Sequence, residues 1–436
     1  MVATVIISTL TIAAMITTVL LKPYTMIKGH KVGLYYVVCL IGAILLLLTG
    51  CISFDSVIEG VTAPTAVNPL KILTLFLSMT LLSIFLGDAG FFNYVAVKIF
   101  LKAKGSKLKI FLVLYAVVAI LTIFTSNDVI ILTFTPPICI FAKKAKISPL
   151  PFLFGEFIAA NTWSMMLIVG NPTNVYLAGA AGIEFMGYFS VMALPAILGG
   201  LVGLFALLII FRKDLKTPVP VLEQTEESGP QYRIHKFPMI ISLIHLVLCI
   251  VALAISDLIG VEMWLICLAA AISLTVISSI YHLIKAGTLH PTLFTLKSAP
   301  YELIPFILSM FVLVLALSEQ GVTSILSSML LSGTKTDGAV FGILGTLLSN
   351  LLNNIPMSVL SGGIISGTSI PATYGAIIGS NVGAFLTPVG ALAGIMWSKI
   401  LSGYDVKLPF SKFVLYGASV AIPTVIASVL GLMLVL

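Results

Sequence analysis

The sequence predicts an all-α polytopic membrane protein made of two inverted repeats, each with five crossing helices plus a re-entrant hairpin and a broken helix. Three observations carry that expectation. Apolar runs of membrane-spanning length recur from Val2 to Leu436, basic residues gather on one side of the alternating runs, and three polar motifs recur in the same order in the two halves. Of the 436 residues, 59% are hydrophobic and 9% charged, at a mean hydropathy of +1.17. That balance is far from the composition of a soluble domain.

A hydrocarbon core of ~30 Å takes roughly 20 apolar residues per helix. The runs are continuous rather than alternating, so the spanning elements are helices that satisfy their own backbone groups. Spans fall near 2–21, 32–53, 69–87, 150–178, 188–211, 237–256, 261–284, 300–318, 373–398 and 410–434. Two paired shorter runs, 108–142 and 338–366, complete the set. The leading segment Val2–Leu21 has neither a basic start nor an A-x-A cleavage site and is expected to be retained.

Alternating these spans puts every one of the 23 Lys and Arg residues on one side, except Lys71 and Lys335. That side is cytoplasmic by the positive-inside rule, and the localisation expected is the cell membrane, multi-pass. The opposite loops carry Asp55, Glu59, Asp257 and Glu262. Topology accounts for the net charge of +7, so no nucleic-acid partner is implied. Cys39, Cys51, Cys139, Cys249 and Cys267 form no C-x-x-C pair, which suggests packing residues rather than a disulfide framework or a thiol metal site.

Lys107 and Lys109 flank the start of the 108–142 pair, and Lys143, Lys144 and Lys146 flank its end, so both ends face the cytoplasm. The polar interruption between the arms is only Ser126-Asn127-Asp128, after which apolar sequence resumes at Val129. A re-entrant hairpin fits that brevity better than a solvated external loop. The alternative is a tight external turn with Asp128 as a helix cap, which avoids burying a carboxylate in lipid.

The stretch from Ala159 to Asn174 aligns without a gap on Gly379 to Gly394, matching Asn161 with Asn381, Val169 with Val389 and Gly170 with Gly390. Gly87-Asp88 has a counterpart in Ser318-Glu319, and Asn127-Asp128 in Asn353-Asn354. Each half then holds three spans, a short amphipathic stretch, a hairpin, a polar-interrupted span and a last span. Five crossings is an odd number, so the second half lies inverted relative to the first, the architecture of many secondary transporters. The halves are 1–211 and 237–436, and the hydrophilic stretch 212–236 is their cytoplasmic linker.

In such proteins, interrupted helices meet near the bilayer midplane and offer free backbone groups and dipole ends to a solute. Four interruptions are present. They supply Ser126, Asn127 and Asp128; Asn171, Thr173 and Asn174 after Gly170; Asn350, Asn353 and Asn354; and Thr387 before Gly390. Asn161 and Asn381 stand beside the two breaks in the long spans. Asp128 is the first candidate for proton coupling, because a carboxylate in low dielectric gains proton affinity. Glu156 is the second candidate, with a carboxylate satisfied structurally by a neighbour as its competing reading. Asp88, Glu302 and Glu319 are expected at interfaces, and His245 as a satisfied packing histidine. Gly375, Gly379 and Gly383 recur every fourth residue, a close-packing signal.

Gly87-Asp-Ala-Gly-Phe-Phe92, Asn127-Asp128, Asn353-Asn-Ile-Pro356 and Leu386-Thr-Pro-Val-Gly-Ala-Leu392 followed by Trp397 resemble the arsenite/antimonite efflux permease family of the ion transporter superfamily. The resemblance spans nearly the whole chain. It implies a proton-driven carrier of arsenous or antimonous acid with Asn127, Asp128, Asn353 and Asn354 near the solute. The partners expected are a small inorganic solute with H⁺ or Na⁺ and the lipid bilayer. A homodimer and a separate ATPase subunit stay open, since the chain itself has no P-loop. Sodium/proton antiport and sodium-coupled carboxylate or inorganic anion transport are the alternatives within the superfamily. A channel is less well supported, for no ring-forming filter sequence is visible. No H-E-x-x-H or G-x-S-x-G motif points to an enzyme, and no cofactor or metal is implied.

Overall fold

A computed structural model of the protein describes residues 1–21, 24–27, 30–63, 68–102, 105–219, 234–365 and 368–436. The first half runs α1 (Val2–Leu21), a β-hairpin of β1 (Tyr24–Ile27) and β2 (His30–Gly33), α2 (Leu34–Leu48), α3 (Phe54–Thr62), α4 (Pro69–Asp88), α5 (Phe91–Lys102), α6 (Lys107–Phe124), α7 (Asn127–Lys144), α8 (Leu150–Trp163), two 3₁₀ turns (Ser164–Met166 and Ile168–Gly170), α9 (Pro172–Ala180) and α10 (Phe185–Ile210). After α11 (Arg212–Lys216) come α12 (Lys236–Ala254), α13 (Ser256–Ile259), α14 (Met263–Ala286), α15 (His290–Lys297), α16 (Leu303–Glu319), α17 (Val322–Leu330), α18 (Thr336–Leu352), α19 (Asn354–Ile365), α20 (Ile370–Gly383), α21 (Leu392–Gly403) and α22 (Phe410–Val435). Most of the expected linker 212–236 lies outside the described residues.

Local chemistry sets several boundaries. Asn68 caps α4 by accepting from the N–H groups of Leu70 and Lys71, and Pro69 occupies the first turn, where its missing N–H costs nothing. Ser369 caps α20 in the same way through Ala372 N. Gly260 and Gly287 end α13 and α14 at φ of 63° and 64°, the left-handed cap that glycine adopts without a Cβ clash.

Among the described residues, seven helices (α1, α4, α6, α10, α12, α14 and α22) are individually long and apolar enough to cross a membrane. The ten crossings expected from sequence exceed that number for physical reasons. The predicted spans 150–178 and 373–398 are each split into two short helices by their polar breaks. The predicted span 32–53 yields only the 15 residues of α2, because the chain turns at Thr49 and restarts as α3. Helix α16, at 17 residues, turns through 81° into α17. The strands β1 and β2, paired from Tyr24–Gly33 to Ile27–His30, occupy a stretch expected to be a plain basic loop.

Large apolar side chains such as Leu248, Val276 and Leu430 stand exposed on the outer helices, as lipid-facing positions do. The polar residues Asn161, Asn174, Ser380 and Asn381 are instead fully enclosed. The halves interlock through reciprocal pairs. Helix α2 packs on α16 and α4 on α14, while α7 packs on α21 and α9 on α19. The α18–α20 crossing is backbone against backbone. A Cβ on Gly375 would sit 2.1 Å from Gly338 O, and one on Gly379 would sit 2.7 Å from Gly345 Cα. Only small residues allow that approach.

Candidate functional site

The first break begins where α8 ends. Pro172 denies a donor and pushes Asn171 into extended backbone (φ −150°, ψ 140°), so the chain cannot continue as helix. Gly170 folds so tightly over the preceding turn that a Cβ there would lie 2.2 Å from Ser164 O. The carbonyls freed by the break need new donors. Asn174 Nδ2 supplies them, donating to Ser164 O at 2.9 Å and Leu167 O at 3.2 Å. Asn171 Oδ1 accepts from Thr173 N at 3.1 Å and starts α9.

Helix α20 of the second half enters this break. Asn381 Oδ1 accepts from Ser164 Oγ at 2.9 Å and from Asn171 Nδ2 at 3.0 Å. Its Nδ2 donates to Asn174 Oδ1 at 2.7 Å and to Ile377 O at 2.8 Å. Thr173 Oγ1 and Ser380 Oγ are 2.9 Å apart. Asn161, aligned with Asn381 by sequence, likewise donates to the carbonyl one turn earlier, Phe157 O, at 2.8 Å. Its Oδ1 accepts from Asn127 Nδ2 of the first hairpin tip at 3.1 Å. Ser164 Oγ also lies 2.9 Å from Asn161 O, joining these contacts into one set.

The second hairpin tip docks on the second break, residues 384–391. Asn350 Nδ2 donates to Gly383 O at 3.0 Å, and Thr387 Oγ1 donates to Asn350 Oδ1 at 2.6 Å. Asn353 Nδ2 reaches Val389 O at 3.2 Å, and Asn354 N reaches Gly390 O at 3.0 Å. Asn353 holds φ 76° and ψ 153°, a conformation that costs a non-glycine residue ~1–3 kcal/mol and survives only where neighbours enforce it. Here both sides of the tip are stitched to the break.

The sequence-predicted residues thus fall into two adjoining sets. Asn127, Asn161, Asn171, Thr173, Asn174 and Asn381 form one, and Asn350, Asn353, Asn354 and Thr387 form the other. Gly383, the acceptor for Asn350, lies two residues beyond Asn381. Ser126 is buried at the first tip. Asp128 is half-buried in the first turn of α7, next to Asn127 but outside the amide network just described. Sequence reasoning missed Ser164 and Ser380, whose partners are visible only once the halves meet. Ser349, which precedes Asn350 in the third polar interruption of the sequence, is buried below the second tip.

Glu156 is fully enclosed. Thr135 Oγ1 lies 2.9 and 3.2 Å from its two oxygens, and Trp397 Nε1 of the second half donates to Oε2 at 3.4 Å. Phe157 stacks on Trp397 at 4.8 Å between centroids. The carboxyl is therefore held by α7, α8 and α21 together. His245 has Ile241 O at 2.8 Å and Ser273 Oγ at 3.1 Å, one partner for each ring nitrogen.

The network's donors and acceptors are amides, hydroxyls and backbone groups, all uncharged. The ion pairs Lys71–Glu262 and Lys143–Asp405 stand at helix ends. No cluster of three His, Cys, Asp or Glu side chains occurs among the described residues. Just ahead of α14, the Lys71 ammonium and then the Trp264 indole N–H donate to Glu262, holding its carboxyl below the usual glutamate range. That pair borders a cleft of about 200 Å³ that also touches Ile72, Leu75, Met263 and, near the first break, Ile168 and Val175.

Comparison with known proteins agrees with this architecture. The chain is 25% identical over 409 residues to an arsenical pump membrane protein of Escherichia coli, covering 90% of this chain and 92% of that protein. The resemblance expected from the sequence motifs is borne out. In fold it is similar to the YdaH transporter of Alcanivorax borkumensis, with a TM-score of 0.55 at 14% identity, covering 99% of this chain and 97% of that one. It is also similar to MtrF of Neisseria gonorrhoeae, with a TM-score of 0.54 at 15% identity, covering 99% and 94%. The sequence profile of the citrate transporter family, CitMHS, matches residues 24–373. This multi-pass membrane protein belongs to the citrate transporter family.

Proposed function

We propose that the protein is a secondary active transporter that works by alternating access and exports arsenous or antimonous acid in exchange for protons. The observation that carries this reading is the uncharged character of the enclosed network. Three of its neighbouring atoms, Ser126 Oγ, Asn127 Oδ1 and Ser349 Oγ, are buried without a protein partner. Buried polar atoms are rarely left unpaired, so a solute rich in hydroxyl groups is a fitting partner for them. The relatives named as arsenical pump proteins point the same way.

Alternating access is supported by the way the halves are joined. The element order of 1–211 recurs in 237–436, yet α4 and α16, which hold corresponding places, run in opposite senses. The start of α4 pairs with the start of α14 through Lys71 and Glu262. The end of α4 accepts from α15 through Asp88 and Thr295 at 2.6 Å, just ahead of α16. Two inverted repeats joined by 212–236 account for that pattern. Asp128 is the proton carrier in this reading, since it is half-buried and adjoins Asn127. Glu156, satisfied on both oxygens, ties the halves together.

One observation favours a second reading. Helices α7, α9, α19 and α21 all begin at the breaks, and neither Ser126 nor Ala391 caps its helix with a side chain. Helix N-termini attract anions without any basic side chain. Sodium-coupled carboxylate transport is therefore the alternative, in keeping with the family's description. Proteoliposomes loaded with arsenite, antimonite or citrate under an imposed pH or sodium gradient separate the two. Uphill arsenite movement driven by ΔpH supports the first reading. Sodium-driven citrate movement with no arsenite flux overturns it.

A further inference from the structure

Three sulfur atoms meet away from the polar network, where α4, α12 and α14 pack together. Cys249 Sγ on α12 lies 3.9 Å from Cys267 Sγ on α14 and 3.7 Å from Met79 Sδ on α4. All three side chains are buried, at 2%, 0% and 3% exposure. We propose that Met79, Cys249 and Cys267 form a binding site for a soft monovalent cation, Cu(I) or its redox-inert stand-in Ag(I). This goes beyond the transport reading and does not depend on it.

The donor set selects the ligand class. Thiolate and thioether sulfur favour Cu(I) over hard or borderline cations. Two sulfurs sharing an ion at ~2.3 Å, a typical thiolate–metal length, in trigonal geometry stand ~4.0 Å apart, close to the Cys249–Cys267 and Cys249–Met79 separations. The thioether is a donor that Cu(I) uses and that trivalent arsenic, which needs only the two thiols, does not. Arsenous acid bonds to sulfur by exchanging a hydroxide for a thiolate and releasing water, and Met79 has no proton to give in that exchange.

The charge balance suits an enclosed site. One thiol S–H breaks as the cation binds and its proton leaves to water, while the second thiol and the thioether coordinate as neutral donors. One thiolate and one monovalent cation sum to zero, so no isolated charge is buried. No electron changes hands.

A route is also at hand. The cleft beside Lys71 and Glu262 is lined by Leu75 and Met263. Leu75 lies one turn before Met79 on α4, and Met263 lies one turn before Cys267 on α14, so each pair shares a helix face. Met79 and Cys267 therefore lie one helical turn from residues that line the cleft, along α4 and along α14.

Anaerobic titration of the full-length reduced protein in detergent with Cu(I), against a competing colorimetric Cu(I) chelator, tests the site. The expected result is one equivalent bound with a near-ultraviolet sulfur-to-copper charge-transfer band. Cys249→Ala or Cys267→Ala should weaken binding about a hundredfold and the near-isosteric Met79→Leu about tenfold, whereas Cys39→Ala should bind normally. Parallel Ag(I) titration followed by thermal unfolding checks that each variant is folded. Equal binding by the Cys249→Ala/Cys267→Ala double variant, or none against the chelator, overturns the proposal. So does an arsenite complex lost in both cysteine variants, indifferent to Met79→Leu and unaccompanied by Cu(I) binding.

Discussion

Asn381→Ala is the sharpest perturbation of the polar network. The side chain accepts from Ser164 and Asn171 and donates to Asn174, three contacts that cross between the halves. A net hydrogen bond is worth about 1 kcal/mol, and a buried group left without its partner costs more, so the loss is about 3 kcal/mol or greater. Ser164 Oγ can fall back on Asn161 O, which limits its share. Asn381→Asp keeps the acceptor and replaces the Nδ2 donor by an oxygen facing Asn174 Oδ1 and Ile377 O, so its damage concentrates on those two contacts and on the buried carboxyl it introduces. The assay is thermal unfolding in matched detergent, combined with a double-mutant cycle on Asn174→Ala. The Asn381–Asn174 coupling should fall within ~0.5–3 kcal/mol. Additive effects of the two substitutions, or an Asn381→Ala protein as stable as the parent, would refute the idea that this network fastens one half to the other.

Other expectations follow from single contacts. Asp128→Asn should abolish proton-driven uphill flux. Glu156→Gln should keep coupling, because an amide can still meet both Thr135 and Trp397; the opposite pattern in proteoliposome flux against pH exchanges the two roles. Gly375→Ala should destabilise by ~1–3 kcal/mol through overpacking against Gly338, whereas Gly403→Ala, with open space at its Cβ, should be near neutral; comparative melting decides. The Lys71–Glu262 pair is solvent-exposed and worth ~0–1 kcal/mol. Glu262 titrates below the ordinary ~4.3 when folded, so its stabilisation is present above that value and lost as pH falls through the folded one. The melting difference between the parent and Glu262→Gln should be flat at neutral pH and shrink below about pH 4.

Much of this site was legible because amides in a long apolar run have few explanations. Asn161, Asn174 and Asn381 stood out against their surroundings, and Gly170-Asn-Pro announced a break from backbone chemistry alone. Ser164, Ser380 and Thr135 did not stand out. Serine and threonine commonly bond the carbonyl one turn back inside helices, as Thr11 and Thr17 do here, so their presence carries no sign of a tertiary partner. Trp397 could equally have been an interfacial anchor, and only packing against Phe157 and Glu156 distinguishes the two. The turn at Thr49 and the β1–β2 hairpin escaped detection because hydrophobicity continues through the first and basic residues flank the second. Cys249, Cys267 and Met79 lie on three helices, and no local pattern links them.

The most direct test of the central claim is equilibrium binding of arsenite to the purified protein in a Cys249→Ala/Cys267→Ala background, which removes the thiols of the sulfur trio. One saturable site, lost in folded Asn161→Ala and Asn381→Ala variants and unaffected by Cys39→Ala, is the predicted result. Undiminished binding in both asparagine variants would contradict the account.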